Sequence, residues 1–156
     1  MKSNLIVYTS YITPENLEYV VKDLNMLPIF ILRSIRNSEL IGKYTGSAIH
    51  FMNLSPSSLV FQAYRDGLIG LEEYKKRYLI EISNLKMYEI VGKFESLCNI
   101  SEANGIVLFA YGEDPNLSHR SVLSELINNS EVLEKQITEL NYETINRRED
   151  TGGGNT

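Results

Sequence analysis

The chain has 156 residues, a formal net charge of −5 at pH 7 and 43% hydrophobic residues, so it is long enough to bury one hydrophobic core. The acidic balance argues against a protein that coats nucleic acid or an anionic membrane through its overall charge, although a local basic pocket remains compatible with it. One cysteine, Cys98, excludes an intramolecular disulfide, and no Cys/His cluster has the spacing of zinc ligands.

The sequence gives no sign of export or membrane insertion. The apolar run near the amino terminus is too short for the core of a signal peptide, and no apolar segment approaches the roughly 20 residues that span a bilayer. A single thiol fits a reducing compartment. We therefore expect a cytoplasmic protein without membrane contact, and we predict neither a metal site nor a cofactor.

The first 32 residues predict a strand, a helix and a second strand. The strands are the continuously apolar runs 5–8 and 29–32. Thr13 is a good N-cap for the helix between them, and Pro14 suits its first position. A βαβ unit joins parallel strands by a right-handed connection, so both strands should end at the same edge of the sheet.

Polar side chains follow both strands at this edge. Ser10 and Tyr11 follow the first strand, and Arg33 and Arg36 follow the second. In one interpretation they converge on a ligand; in the other, Ser10 and Tyr11 begin a turn and the arginines face solvent, which we favour for Arg36. Residues 37–53 predict a long loop with a short strand near 48–52, and such loops are uncommon unless they bind something or cover a site.

Three helices are predicted next, at residues 55–64, 71–82 and 85–98. The first should begin at Ser55-Pro56. The apolar residues expected to face the core from the first two helices are Leu59, Val60, Ala63, Tyr64, Leu71, Tyr74, Tyr78 and Ile82.

The most informative stretch is residues 105–126. It predicts a buried strand at 106–111, a polar loop at 112–117 and a helix from Ser118 to Ile127. A loop that leaves the carboxyl end of a strand and enters a helix is a favoured docking place for anions, because the first N–H groups and the dipole of the helix attract negative charge.

The first turn of this helix carries Ser118, His119 and Arg120. As an anion clamp, Arg120 would hold a phosphate or carboxylate through two hydrogen bonds while Ser118 caps the helix or bonds the ligand. In the alternative, Ser118 is only a cap, His119 packs, and Arg120 forms an ion pair with Glu113 or Asp114.

The carboxyl-terminal part of the chain is less clear. Residues 131–140 fit a helix or a short edge strand, and periodicity does not decide between them. Residues 147–156 are polar and glycine-rich, which predicts a disordered tail after a single domain at 1–146.

Several features occur in a recognisable order, and together they resemble the domain-of-unknown-function 488 (DUF488) family over roughly residues 5–130. The features are the opening Tyr8-Thr9-Ser10-Tyr11, the strand from Pro28-Ile29 to Arg33, the helix start Leu54-Ser55-Pro56, the run Tyr64, Gly67, Glu73-Tyr74 and Tyr78, and the block Ser118-His119-Arg120 after a strand.

The resemblance implies an α/β domain with a mostly parallel sheet, but it implies no function. In that family the last block usually reads Cys-His-Arg, and another cysteine ends the preceding strand. Here Ser118 stands in place of one cysteine and 110–112 is Ala-Tyr-Gly, so both thiols are missing. If a thiolate did chemistry in the family, this chain either uses Ser118 or has lost that step.

We therefore predict one three-layered α/β domain, with a short, mostly parallel sheet flanked by about five helices and a site at the carboxyl edge of the strands. The leading hypothesis is binding of a small anionic, nucleotide-like ligand. The residues proposed to hold its charge, bond it or flank its ring are Ser10, Tyr11, Arg33, Tyr111, Ser118, His119 and Arg120, with Tyr44 as a further stacking candidate.

Two alternatives come from other classes. One is a hydrolase or transferase that acts on a nucleotide or nucleic-acid substituent, with Glu113 or His119 as acid or base. The other is a protein-binding adaptor that has lost the family site. Net charge disfavours nucleic acid itself as a partner, and the oligomeric state stays open.

Overall fold

The computed structural model describes residues 2–34 and 49–142, and within these ranges it shows a five-stranded parallel sheet. Its spatial order is β3-β2-β4-β1-β5. The strands are β1 (Val7–Tyr11), β2 (Leu27–Phe30), β3 (Ile49–His50), β4 (Ile106–Ala110) and β5 (Thr138–Glu139). The predicted α/β class and parallel sheet are confirmed.

Strand β4 is the centre of the sheet. Ile106 pairs with Val7 of β1 on one side and with Leu27 of β2 on the other. All five residues of β4 are buried. Successive side chains of a strand point to opposite faces, so both faces of β4 are covered. The strands β1 and β2 are therefore parallel, as predicted, but β4 separates them.

Five α-helices flank the sheet in the described ranges: α1 (Pro14–Glu18), α2 (Ser58–Arg65), α3 (Leu71–Ile82), α4 (Met87–Ile100) and α5 (His119–Asn129). A π-helical turn, Tyr19–Asp23, continues α1, and short 3₁₀ turns lie at Met52–Leu54 and Pro115–Leu117.

The helix starts follow the capping residues. Thr13 accepts the Asn16 N–H at 3.0 Å, as its side chain predicts for the start of α1. Helix α2 starts later than predicted, because Ser57 is its cap and accepts the Val60 N–H at 3.3 Å. Residues 52–54 form the separate turn that precedes it.

The buried face of α2 is narrower than predicted. Val60 is its buried residue, whereas Leu59 is 78% exposed. This eight-residue helix packs on α3, where the rings of Tyr64 and Tyr74 meet edge to face with centroids 4.4 Å apart. The predicted inner stripe of α3 holds, with Tyr74, Tyr78 and Ile82 buried.

The ambiguous segment 131–140 forms an edge strand. Its two-residue strand β5 pairs with β1 through Tyr8 and Thr9. The side chain of Asn128 fixes the approach to this strand, since it accepts the Ile137 N–H at 2.7 Å and donates to the Ile137 carbonyl at 3.1 Å. Two hydrogen bonds from a side chain of α5 therefore hold this segment in place, a role that strand–strand hydrogen bonds fill in longer strands.

Some sequence-based predictions concern other parts of the chain. Arg36, Tyr44, most of the predicted loop 37–53 and the tail 147–156 lie outside the described residues. Within the described ranges, no helix combines the length and apolarity that a bilayer crossing requires.

Gly105 precedes the central strand at a point of close backbone approach. A Cβ there would lie 2.6 Å from the Ile6 carbonyl oxygen and 2.6 Å from the Met26 methyl carbon. We predict that Gly105→Ala lowers the free energy of unfolding by about 1–3 kcal/mol through overpacking. Urea denaturation followed by circular dichroism measures this change.

Gly92→Ala is the matched control. Gly92 lies on the exposed side of α4, and a Cβ there has no atom within 4 Å. This substitution should raise stability by up to about 1 kcal/mol through helix propensity. Equal effects of the two substitutions would contradict the close approach at Gly105.

Candidate functional site

A cavity of about 410 Å³ lies at the carboxyl edge of β2. Four parts of the chain meet around it: the exit of β2, helix α2, Tyr74 of α3 and the loop that enters α5. The residues that line it are Leu32, Arg33, Ser34, Pro56, Ser58, Phe61, Gln62, Tyr64, Arg65, Tyr74, Tyr111, Leu117, Ser118 and His119.

The exit of β2 is held by hydrogen bonds on both sides. Ile31 donates its N–H to the Phe109 carbonyl of β4 at 3.0 Å. Nε2 of His119 contacts the Ile31 carbonyl at 2.5 Å, and Nε2 of His50 contacts the next carbonyl, that of Leu32. Two imidazoles from different elements therefore bind successive carbonyls and fix the backbone immediately before Arg33.

Arg33 is tied to the start of α2. Its Nε donates to the Pro56 carbonyl at 3.2 Å. No carboxylate of residues 2–34 or 49–142 lies within ion-pair distance of its guanidinium. The bond to Pro56 holds the Arg33 guanidinium at the rim of the cavity. The sequence also places Arg33 at the end of this strand, beside the predicted site.

The start of α5 forms the opposite wall. Ser118 is the N-cap, and its Oγ accepts the Arg120 N–H at 3.3 Å. Gly112 has φ +94°, a left-handed conformation that lets the loop turn away from β4. The capping role predicted for Ser118 is confirmed.

His119 is buried and neutral. Its ring meets Tyr78 edge to face, with centroids 5.1 Å apart. Burial lowers the pKa of His119 to about 4, against the opposing effect of the Ile31 carbonyl. A carbonyl only accepts hydrogen bonds, so Nε2 carries the proton and Nδ1 is the acceptor nitrogen. His119 thus contributes no positive charge to the cavity at neutral pH.

An aromatic wall faces these polar groups. Tyr64 and Tyr74 contact each other edge to face, and Tyr111 and Phe61 complete the wall. Burial raises the pKa of the Tyr74 hydroxyl, which therefore stays protonated at neutral pH. The lining of the cavity therefore includes aromatic rings and phenol hydroxyls.

The described part of the cavity lining is positively charged. Arg33 and Arg65 line it, and within the described ranges no carboxylate does. Two carboxylates contact neighbouring groups: Asp66 lies 3.4 Å from Arg65 Nε, and Glu81 accepts the Ser57 N–H at 3.0 Å. The Arg65–Asp66 pair is more than half exposed, and such pairs contribute about 0–1 kcal/mol, so Arg65 can exchange Asp66 for a ligand at little cost.

Arg120 does not line the cavity. It is fully buried, and its Nη2 contacts Glu139 Oε2 of β5 at 2.8 Å, while its Nε contacts Glu139 Oε1 at 3.0 Å. It also donates to the carbonyls of Tyr111 and Glu113. The ion-pair partner of Arg120 is therefore Glu139, and not Glu113 or Asp114 as the alternative interpretation expected. Glu139 lies 19 residues further along the chain, on an edge strand, so the local sequence gave no sign of this pairing.

Ser10 and Tyr11 lie elsewhere as well. The Ser10 hydroxyl is fully buried and 2.6 Å from the Tyr142 hydroxyl, and the rings of Tyr11 and Tyr142 meet edge to face. Burial raises the pKa of Tyr142 to about 12. The ends of β1 and β2 are separated by β4, and neither Ser10 nor Tyr11 lines this cavity.

Of the other predicted residues, Tyr111 lines the cavity and the exposed Glu113 does not. Sequence reasoning missed one face of α2. Its members are Ser58, Phe61, Gln62 and Arg65. Their spacing of three, four and seven residues is that of one helix face, so the sequence does contain this pattern. It was missed because only the apolar residues of the same helix were considered.

A family comparison covers this whole cavity. A model of the active DUF488-N3 subclade matches residues 31–131, which include every lining residue. The chain belongs to the DUF488 family. No curated protein and no solved structure gave a match. The matched range ends before Glu139 and begins after Ser10, so the Arg120–Glu139 pair joins a DUF488 residue to a strand beyond the match.

The described residues of this DUF488 protein hold no group of three His, Cys, Asp or Glu side chains placed to bind a metal. Cys98, its one cysteine, is on α4 and donates to the Ala103 carbonyl at 3.1 Å. It is not among the residues that line the cavity.

We predict that Glu139→Gln lowers the free energy of unfolding by about 3 kcal/mol. The change leaves a fully buried guanidinium without a counter-charge, and loss of one partner from a buried pair is strongly destabilising. The matched control is Glu73→Gln, which breaks the exposed Glu73–Arg77 pair on α3 and should cost less than about 1 kcal/mol. Similar losses in urea denaturation would contradict the structural role of Glu139.

A second prediction concerns pH. An unfolded histidine has a pKa near 6.5 and folded His119 has a pKa of about 4, so the unfolded state binds more protons between these values. Stability should therefore fall as the pH drops from about 6.5 to about 4, by at most about 1.4 kcal/mol per pH unit from this group.

His119→Gln, which can still donate to the Ile31 carbonyl, should remove this contribution. The measurement is the free energy of unfolding of both proteins from pH 4 to pH 8. Parallel curves over the whole range would show that His119 is not buried in its neutral form.

Proposed function

We propose that this protein binds a small anionic, nucleotide-like ligand in the cavity between β2, α2 and α5. The observation that carries the proposal is the charge of the lining. Arg33 and Arg65 border the cavity, and within the described ranges no carboxylate does. A pocket of this composition favours anions over neutral or cationic ligands.

Two helix starts add to this preference. Pro56 and Ser58 at the start of α2, and Ser118 and His119 at the start of α5, all line the cavity. Each helix N-terminus carries about half a positive charge and N–H groups that favour anions. Glu81, which accepts the Ser57 N–H, offsets part of this effect at α2 and leaves α5 as the stronger of the two.

The aromatic wall supports a ligand with a ring. Tyr64, Tyr74, Tyr111 and Phe61 line the same cavity as the arginines. Aromatic side chains stack on nucleobases with little dependence on sequence, and each stack contributes about 1–3 kcal/mol. A charged group together with a flat ring is what makes the expected ligand nucleotide-like.

In this proposal Arg33 and Tyr111 keep the roles expected from sequence, whereas Arg65 takes the place of Arg120 at the anion. Arg33 and Arg65 contact the anion, and Tyr111 belongs to the aromatic wall. Arg120 acts from behind the cavity, because its bonds to the Tyr111 and Glu113 carbonyls hold the loop that enters α5. Substitution of Arg120 would disturb folding, so it does not test ligand contact.

A hydrolase or transferase that acts on a nucleotide or nucleic-acid substituent is the second candidate. Its supporting observation is that a neutral imidazole, that of His119, lines the cavity. The description of the matched family model as active also favours a retained site over an adaptor that lost it. Turnover that disappears in His119→Gln, with unchanged ligand affinity, would support this candidate.

The test of binding is a thermal-shift screen with nucleotides, cyclic nucleotides and sugar phosphates. At about 100 times its dissociation constant, a ligand adds roughly 2.7 kcal/mol, which corresponds to roughly 5–10 °C in a domain of this size. We expect Arg65→Ala to abolish the shift without lowering the Tm of the free protein, because Arg65 is an exposed residue.

Arg77→Ala is the matched control. Arg77 is also a half-exposed helical arginine in an ion pair, but it does not line the cavity. It should leave the ligand shift unchanged. If no anion in the panel shifts the wild type, or if both variants lose the shift equally, the proposed site is wrong.

A further inference from the structure

The charge and the volume of the cavity indicate the charge and the size of its ligand, in addition to the class of the ligand. This step rests on the proposed function and narrows it. We infer that the ligand is the phosphomonoester of one nucleoside, with its terminal phosphate in contact with Arg33 and Arg65 and its base against the wall of Tyr64, Tyr74 and Tyr111.

The charge count favours a phosphomonoester. Two guanidinium groups line the cavity, the imidazole of His119 is neutral, and within the described ranges no carboxylate lines it. A phosphomonoester carries a charge of about −1.5 to −2 at pH 7. The two arginines of the described lining match that charge, whereas the additional charges of a diphosphate or triphosphate would exceed the positive charge of these two side chains.

Arginine is also the side chain whose geometry suits a terminal phosphate. Its planar guanidinium donates two parallel hydrogen bonds to two phosphate oxygens. The three oxygens of a monoester can satisfy two such groups at once. A diester, as inside a nucleic-acid strand, has only two unsubstituted oxygens and one negative charge.

The volume of the cavity is compatible with a mononucleotide. At about 410 Å³ it lies near the lower end of the roughly 300–1,000 Å³ range of small-molecule sites. One base, one sugar and one phosphate suit a site of this size.

The local ion pair of Arg65 gives a gain-of-affinity test. Asp66 Oδ1 lies 3.4 Å from Arg65 Nε and competes with a phosphate for the same guanidinium. Removal of this carboxylate leaves the cation in place and frees it for the ligand. A merely structural role of Arg65 does not predict such a gain.

The experiment is isothermal titration calorimetry of the full chain with the four ribonucleoside 5′-monophosphates. The best of them is then compared with its nucleoside, diphosphate and triphosphate, and with ribose 5-phosphate. We expect the monophosphate to bind at least tenfold more tightly than the nucleoside or ribose 5-phosphate, and at least threefold more tightly than the triphosphate.

Variants locate the phosphate. Arg65→Ala should weaken monophosphate binding at least tenfold and change nucleoside binding less than twofold. Asp66→Asn should strengthen monophosphate binding about twofold to threefold. Arg77→Ala, the matched exposed arginine on α3, should change neither.

The outcomes separate this inference from the proposed function. Equal or tighter binding of the triphosphate, lost in Arg65→Ala, would overturn the monoester assignment and leave the anion site intact. Equal binding of ribose 5-phosphate would overturn the role of the aromatic wall. If none of these phosphates binds, the proposed function and the inference both fail.

Discussion

The ion pair between the fully buried Arg120 and the partly buried Glu139 is the interaction on which the rest of this architecture depends. It connects the first turn of α5 to the last strand of the sheet, and the Glu139 carboxylate also accepts the Thr9 hydroxyl of β1 at 2.6 Å. Arg120 further binds the carbonyls of the loop between β4 and α5. One guanidinium thus fixes a helix, a loop and an edge strand. Burial of two charges is costly unless their bonding is nearly complete, which explains why so many acceptors surround this side chain.

Because Arg120 is committed to the fold, the positive charge of the cavity comes from other elements. Arg33 follows β2 and is held at the cavity by its bond to the Pro56 carbonyl, whereas Arg65 is the last residue of α2, the helix that packs on α3. The three residues of the Ser-His-Arg block therefore have structural roles, in contrast to a simple anion clamp, whose residues would contact the ligand directly. Ser118 caps the helix, His119 holds the exit of β2, and Arg120 holds the loop, so the block shapes the cavity more than it charges it.

The two histidines illustrate how a parallel sheet builds a site at its edge. The carbonyls of Ile31 and Leu32 lie just beyond the end of β2. His119 from α5 and His50 from β3 bind them in turn. Since an unsatisfied buried carbonyl is costly, these contacts stabilise the strand end while they bring α5 and β3 against it. The cavity then forms between elements that are already held in place.

The sequence by itself determined the class of fold, the capping of α1 and α5, the α3 stripe and the position of Arg33 at a strand end, because these depend on local periodicity and on residues within one or two turns of each other. The family membership was also readable, since it rests on spaced motifs. Only the tertiary structure decided that β4 separates β1 from β2, that residues 138–139 form an edge strand, and that Arg120 pairs with Glu139. Each of these depends on contacts between residues far apart in the chain, and no local pattern encodes which distant strand or carboxylate will be the partner. For the same reason Ser10 and Tyr11 meet Tyr142 instead of a ligand pocket, and Arg65 reaches the cavity from a helix whose sequence suggested only packing.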